Sequence, residues 1–182
     1  MKGVIFNILE EMVVSGHGMD CWNKILELSK PEHKGIYTAG RSYPDEELLQ
    51  LVGTISEQLS IPVPDLVQAF GEHLFSSLAQ RYPIFLEQPD LFSFLRSVED
   101  VIHVEVAKLY SEPNLPEFRY RQNVADELLM EYRSPRKLCL LAEGLIRGAA
   151  SHFKQPCNIG HDVCIHQGAD HCEFTIQLTQ AD

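Results

Sequence analysis

The sequence predicts an α+β fold in which helices fill the N-terminal part of the chain and a sheet follows. Apolar residues recur with a helical period up to about residue 110. After residue 116 the segments "EFRYRQN" and "DELLMEYRS" alternate in the manner of strands. A helical segment then separates them from "NIGHDVCIHQGADHCEFTIQLT", which is typical of a hairpin.

The N-terminal elements are all predicted helices. Pro44 suits the first residue of the third of them, because proline lacks the N–H that a helix start leaves unpaired. The stretch "IPVPD" interrupts the pattern near residue 62, and we predict a boundary there between a helical subdomain, about 1–62, and an α/β subdomain, about 63–182. The predicted helices cover residues 1–18, 21–31, 44–60, 65–82 and 91–110.

The C-terminal elements begin with the two strands and continue with the helix "SPRKLCLLAEGLIRGAASHF". Ser134 as cap and Pro135 as first residue are favourable at its start. The turn "QGAD" then joins the last two strands. Cys164 and Cys172 are symmetric about Gly168 in this turn, so we expect them to face each other across the hairpin.

Composition limits the classes of partner that the chain can have. The chain has 182 residues and 45% apolar content, enough for one sizeable core or two subdomains that share an interface. A net charge of −11 repels nucleic acid and anionic membrane surfaces, and no uncharged run approaches the roughly 20 residues of a membrane span. The five cysteines come without a secretory signal. We expect a soluble cytoplasmic protein with neither nucleic acid nor membrane as a partner.

A triplet of polar side chains, Tyr132, Ser134 and Arg136, lies where a predicted strand passes into a helix. Side chains at every second position project to one side of an extended backbone. A guanidinium and two hydroxyls match the geometry of carboxylates, so the triplet predicts an anion clamp. Heme, with two carboxylates on flexible arms, would use all three. The alternative is structural, with Ser134 capping the helix and Arg136 paired with an acidic residue.

His103 lies in the middle of the apolar helix "VEDVIHVEVAKLY". A neutral imidazole is a common axial ligand of heme iron, and the prolines of "SEPNLPEF" could pack rigidly on a porphyrin face. The alternative is a core histidine that hydrogen-bonds to the backbone.

The histidine helix, "LYSEPNLPEF", "YRSPR" and the "MKG" start together resemble the heme-nitric oxide/oxygen binding family, H-NOX, over essentially the whole chain. These proteins are bacterial relatives of the heme domain of soluble guanylate cyclase. The resemblance implies a helical N-terminal subdomain packed on an α/β C-terminal subdomain with a four-stranded antiparallel sheet, and heme b between them. It further implies that His103 is the proximal iron ligand and that Tyr132, Ser134 and Arg136 clamp the propionates. Ile5 and Pro116 are implied to press on the porphyrin.

The resemblance also implies which gas binds. Relatives that retain oxygen carry a tyrosine and a tryptophan where this chain has Leu141 and Leu9, and nearby Leu145 offers no donor either. An apolar pocket favours nitric oxide and carbon monoxide over oxygen. We expect a sensor and not an enzyme. Nitric oxide would weaken the iron–histidine bond, shift the subdomains and signal to a separate histidine kinase or cyclic-di-GMP enzyme.

A second cluster predicts a structural zinc site formed by Cys139, His161, Cys164 and Cys172. Rival ligands are Cys157, His166 and His171. Two alternatives remain open, namely thiols that only pack and a redox pair that forms a disulfide under oxidants.

A competing function is a heme-free small-molecule-binding module. The C-terminal stretch "LIRGAASHF" to "CIHQGADHCEF" also resembles the 4-vinyl reductase type of ligand-binding domain. This alternative accounts for the cysteines but leaves His103 and the clamp without a role. A heme peroxidase would need polar distal groups, which Leu9 and Leu141 do not supply.

Overall fold

The structure is a computed structural model that describes residues 1–109 and 114–179. Its first part consists of helices: α1 Gly3–His17, α2 Met19–Ser29, α3 Asp45–Leu59, α4 Val63–Arg81, a 3₁₀ turn at Pro83–Leu86, α5 Leu91–Ser97, a π-helical turn at Val98–His103 and α6 Val104–Leu109. Its second part contains the sheet and one long helix: β1 Glu117–Val124, β2 Glu127–Arg133, α7 Cys139–His152, β3 Cys157–Val163, a 3₁₀ turn at Ile165–Gln167 and β4 Cys172–Leu178.

The four strands form one sheet in the order β1-β2-β4-β3, and each neighbouring pair is antiparallel. Along β2 the buried side chains are Leu128, Met130 and Tyr132, so one face of the sheet packs on the core. In the register, Tyr132 lies between Phe118 of β1 and Cys172 of β4. The predicted α+β class, with its four-stranded antiparallel sheet, is confirmed.

Buried apolar side chains form two clusters, and α4 contributes to both. The first cluster combines α1, α2 and α3 with the α4 residues Leu66, Phe70 and Leu74. The second combines the sheet, α5 and α7 with Phe75 of α4. The division into subdomains near residue 62 stays a prediction.

Helices α4 and α7 meet backbone to backbone. A Cβ atom on Gly144 would lie 2.1 Å from the carbonyl oxygen of Gln68, and one on Gly71 would lie 2.5 Å from the carbonyl oxygen of Leu141. Both distances are shorter than any side chain tolerates, so glycine is required at these positions. The close crossing presses the Leu141 and Leu145 side of α7 against the first cluster.

The start of α7 differs from the prediction. The helix begins at Cys139, and Ser134 and Pro135 lie in a preceding turn. Lys137 has φ +54°, in the left-handed region, which a right-handed helix cannot continue through. The amide of Leu138 then donates to the hydroxyl of Tyr132 at 3.1 Å, and the helix begins after this turn, at Cys139.

Several other helix boundaries also differ in detail. The predicted helix 91–110 is interrupted by the π-helical turn at Val98–His103, and its predicted end at Tyr110, like Pro113 beyond it, lies outside the described residues. Helix α3 begins at Asp45, one residue after the predicted Pro44. None of the helices within 1–109 and 114–179 has the length and apolar character that crossing a membrane requires.

Candidate functional site

His103 ends the π-helical turn and is held by a carboxylate one turn earlier. Its Nδ1 atom lies 3.0 Å from Oε2 of Glu99, and the same oxygen accepts a bond from the amide of Phe118 at 3.2 Å. The imidazole also stacks on the Phe118 ring, with centroids 5.5 Å apart. Glu99 thus joins the histidine segment to the start of β1.

The chemistry of this histidine suits a metal ligand. Burial lowers the pKa of His103, although Glu99 acts in the opposite direction. The lowered pKa favours the neutral ring. With Nδ1 bonded to Glu99, Nε2 has no hydrogen-bond partner among the described residues. A carboxylate on one ring nitrogen commonly orients the other toward a metal, so His103 fits an axial iron ligand.

Tyr132 and Ser134 of the predicted clamp are buried, and each hydroxyl accepts a hydrogen bond from a backbone amide. Leu138 donates to Tyr132, and the amide of Arg136 donates to Ser134 Oγ at 3.2 Å. Burial raises the pKa of the Tyr132 phenol, while hydrogen bonds from Ser134 and the Leu138 amide oppose that shift. The phenol is therefore protonated at neutral pH.

Arg136 pairs with an acidic residue, as the structural alternative anticipated. Its Nε donates to Asp45 at 2.6 Å, and its Nη1 donates to the carbonyl of Asn114 at 2.5 Å. Nη2 has no partner within the described ranges. A guanidinium beside two neutral hydroxyls, those of Tyr132 and Ser134, is a donor set that fits a carboxylate.

The predicted distal side chains belong to the first cluster or pack against it. Leu9 is fully buried in the first cluster, while Ile5, Leu141 and Leu145 are half-buried against it. Leu145 also contacts the second cluster, so it lies between the two. Pro116 is half-buried, two residues before the Phe118 ring that stacks on His103.

The four predicted zinc ligands converge. One ligand atom from each of Cys139, His161, Cys164 and Cys172 lies within 4.8 Å of the others. Cys164 Sγ is 4.0 Å from both Cys139 Sγ and Cys172 Sγ, and a tetrahedral zinc with bonds of about 2.3 Å needs about 3.8 Å between sulfurs. Nε2 of His161 is buried without a partner in the described part of the chain, as suits a metal ligand.

The rival ligands are directed elsewhere. His166 Nε2 contacts the carbonyl of Lys137 at 2.8 Å, and His171 Nδ1 contacts Asp170 at 2.5 Å. Cys157 lines a surface cavity of about 570 Å³ that is also lined by Arg147 and Lys154. The described geometry therefore favours the Cys139, His161, Cys164 and Cys172 set.

Burial and the neighbouring sulfurs raise the pKa of Cys139, and burial raises that of Cys172. Without a cation these groups are protonated thiols, which react slowly with oxidants. A divalent cation would displace their protons and become the counter-charge. This chemistry suits a metal better than the redox alternative.

Sequence reasoning missed three carboxylates that hold the site together: Glu99, Asp45 and Glu143. Glu99 was detectable, since a residue four positions before His103 lies on the same helix face. Asp45 is 91 positions from Arg136, and Glu143 reaches His161 only across the fold. No sequence signal pointed to either of these two.

Comparisons with known proteins identify the family of this chain. A family model described as Haem-NO-binding matches residues 2–161. The H-NOX protein from S. oneidensis in the Fe(II)NO ligation state is 44% identical, with a TM-score of 0.92, over 99% of this chain and 100% of that one. The unliganded Fe(II) H-NOX protein from K. algicida is 31% identical, with a TM-score of 0.89, over 100% of this chain and 98% of that one.

A curated relative is much longer. Soluble guanylate cyclase gcy-35 from Caenorhabditis elegans is 29% identical over 156 residues, which are 82% of this chain and 22% of that protein. The chain thus spans about a fifth of this relative's length. The family match and the likeness of the solved structures place the chain in a family of gas-sensing heme domains. This chain belongs to the haem-NO-binding, or H-NOX, family.

Proposed function

We propose that this chain is a heme-based sensor that binds nitric oxide and carbon monoxide, with little binding of oxygen. The observation that carries the proposal is the His103 imidazole, which Glu99 holds at Nδ1 so that the lone pair of Nε2 is left for a metal. A ferrous heme b, when bound, would supply the iron at which these gases bind. Two H-NOX structures from S. oneidensis, solved in the Fe(II)NO and Fe(II)CO ligation states, support this choice of ligands.

Each part of the site has a role in this proposal. Nε2 of His103 would be the proximal ligand of the iron, and Glu99 would fix the orientation and basicity of the ring. The clamp residues hold the propionates through charge-assisted hydrogen bonds from Arg136 and through the two hydroxyls. Ile5 and Pro116 would contact the porphyrin and help to distort it.

Gas selection rests on the apolar set Leu9, Leu141 and Leu145. Oxygen binding to heme gains from a nearby hydrogen-bond donor, whereas nitric oxide binds strongly without one. None of these three side chains can donate. The set therefore favours nitric oxide and carbon monoxide.

Signalling starts at His103 in this proposal. Because Glu99 also bonds the amide of Phe118, movement of the histidine segment reaches β1 and the sheet. Shifting a two-state equilibrium from 1:99 to 99:1 takes about 5.5 kcal/mol of differential binding between the two states. The output passes to a separate partner, either a histidine kinase or a cyclic-di-GMP enzyme.

The test of the ligand assignment is His103→Ala, with His17→Ala, an exposed histidine at the end of α1, as its control. We expect His103→Ala to lose the ferrous absorption spectrum of the wild type and added imidazole to restore it. The His17 variant should match the wild type. An unchanged ferrous spectrum in His103→Ala would contradict the assignment.

We also propose that Cys139, His161, Cys164 and Cys172 bind one structural Zn²⁺. The sulfur spacing and the unpaired Nε2 of His161 support this proposal. Metal analysis of protein purified without oxygen should find about one zinc per chain. Cys172→Ser should lose it, and a metal-free wild type would refute the proposal.

A further inference from the structure

A buried carboxylate lies beside the proposed zinc site. Glu143, on α7, is among the few buried charged residues in the described part of the chain, at 8% exposure. Its Oε2 is 3.7 Å from Nδ1 of His161, an ion-pair contact longer than a hydrogen bond. Its Oε1 accepts bonds from Nε2 of Gln68 at 2.6 Å and from Arg147 at 2.8 Å.

The two ring nitrogens of His161 have opposite surroundings. Nδ1 faces Glu143, whereas Nε2 is buried without a hydrogen-bond partner among the described residues. The ring also packs on Phe174, with centroids 4.5 Å apart, which limits its rotation. An unpaired buried nitrogen is costly, so a ligand at Nε2 would relieve that cost.

We infer that Glu143 is a positioning residue for the metal. Its carboxylate would hold the proton of His161 on Nδ1 and so leave the lone pair of Nε2 for the cation. At 3.7 Å the carboxylate acts on the ring through its negative charge, and a carboxylate partner of a ligating histidine raises the basicity of that histidine. The inference rests on the proposed zinc site, and it adds a residue outside the ligand set.

The same carboxylate joins the site to α4. Gln68 belongs to α4, and its carbonyl lies at the backbone contact with Gly144, the residue after Glu143. The metal site is therefore linked to the α4–α7 crossing through Gln68, Glu143 and His161. Removal of the metal should loosen this link and speed amide hydrogen exchange in α4 around Gln68.

The test uses Glu143→Gln, with Glu72→Gln as its matched control. Glu72 is an exposed acid on α4 that lines the same cavity as Arg147, and none of its described contacts involves His161. Zinc affinity of the reduced, heme-loaded proteins is measured by competition with a chromophoric chelator. Glu143→Gln should still bind one zinc, but about 10- to 100-fold more weakly, while Glu72→Gln matches the wild type. Equal affinity in the two variants would overturn the inference.

Two further readouts separate the possible failures. Nitrogen NMR of the zinc-loaded wild type should show metal on Nε2 and a proton on Nδ1 of His161, without any variant that has to fold. Metal on Nδ1 would overturn the role of Glu143. If the wild type binds no zinc at all, the proposed metal site itself is wrong, and Glu143 is then only a partner of Gln68 and Arg147.

Discussion

Arg136, in the turn before α7, donates from Nε to Oδ2 of Asp45, the first residue of α3, at 2.6 Å. Burial raises the pKa of this carboxyl, but hydrogen bonds from the chain's amino group and from Arg136 outweigh burial and hold the pKa below its usual range. The charged pair therefore persists at neutral pH and ties the helical part of the chain to the clamp.

Arg136→Ala should release bound heme faster. Charge-assisted hydrogen bonds contribute about 1.5–3 kcal/mol, which corresponds to a dissociation rate roughly 10- to 100-fold higher. Heme transfer to an apo-globin acceptor measures this rate. The control is Arg133→Ala, because Arg133 pairs with Glu131 and Asp170. Equal heme loss from both variants would argue against the clamp.

Glu99→Gln should weaken the iron–histidine bond while heme stays bound. The amide keeps an acceptor near His103 Nδ1 but lacks the charge that raises the basicity of the imidazole. Resonance Raman spectroscopy of the ferrous protein should show the iron–histidine stretch at lower frequency. Glu105→Gln, which breaks an exposed pair with Lys108, should leave it unchanged. An unshifted band in Glu99→Gln would refute the role of Glu99.

Leu141→Tyr should slow oxygen dissociation, because it adds a hydroxyl donor to an apolar set. Leu141→Phe is the matched control, since it adds nearly the same volume without the hydroxyl. Overpacking costs about 1–3 kcal/mol in stability for either variant, so the comparison isolates the hydrogen bond. Stopped-flow mixing with oxygen measures the rates. Identical oxygen kinetics in the two variants would contradict the assignment of Leu141 to the distal side.

Gly144→Ala should destabilise the fold, whereas Gly53→Ala should stabilise it. A methyl on Gly144 meets the carbonyl of Gln68 at 2.1 Å, while one on Gly53 in α3 meets nothing within 4 Å. We expect a loss of about 1–3 kcal/mol or more for the first and a gain of about 0.5–1 kcal/mol for the second. Urea unfolding measures both. A neutral Gly144→Ala would show that the helix crossing is looser than described.

The fold could largely be predicted from the sequence because its elements carry strong local patterns. Along β2, for example, Leu128, Met130 and Tyr132 alternate with more exposed residues, and Gly168, at φ +94°, supplies the left-handed turn residue of the hairpin. The predicted start of α7 was wrong because Lys137 is left-handed and the Leu138 amide bonds the Tyr132 hydroxyl, so no helix can run from Ser134. No local pattern in the sequence indicated the π-helical turn that ends at His103.

The candidate site likewise has features that local spacing predicts and features that it does not. The cysteine spacing predicted the approach of Cys164 and Cys172, since a hairpin brings symmetric positions together. The partners Asp45 and Glu143 depend on how distant helices meet, which local spacing does not encode. The ligand roles of His103 and the clamp stay predictions, supported by the contacts of Glu99 and Asp45.

The most direct test of the central claim is the visible absorption spectrum of the reduced protein, without oxygen and then with nitric oxide, carbon monoxide and air in turn. The proposal predicts a ferrous heme spectrum that changes with nitric oxide and carbon monoxide and forms no stable oxygen complex. A stable oxygen complex would contradict the apolar distal side. A protein without heme absorbance, even after reconstitution, would contradict the heme sensor and favour the heme-free ligand-binding module.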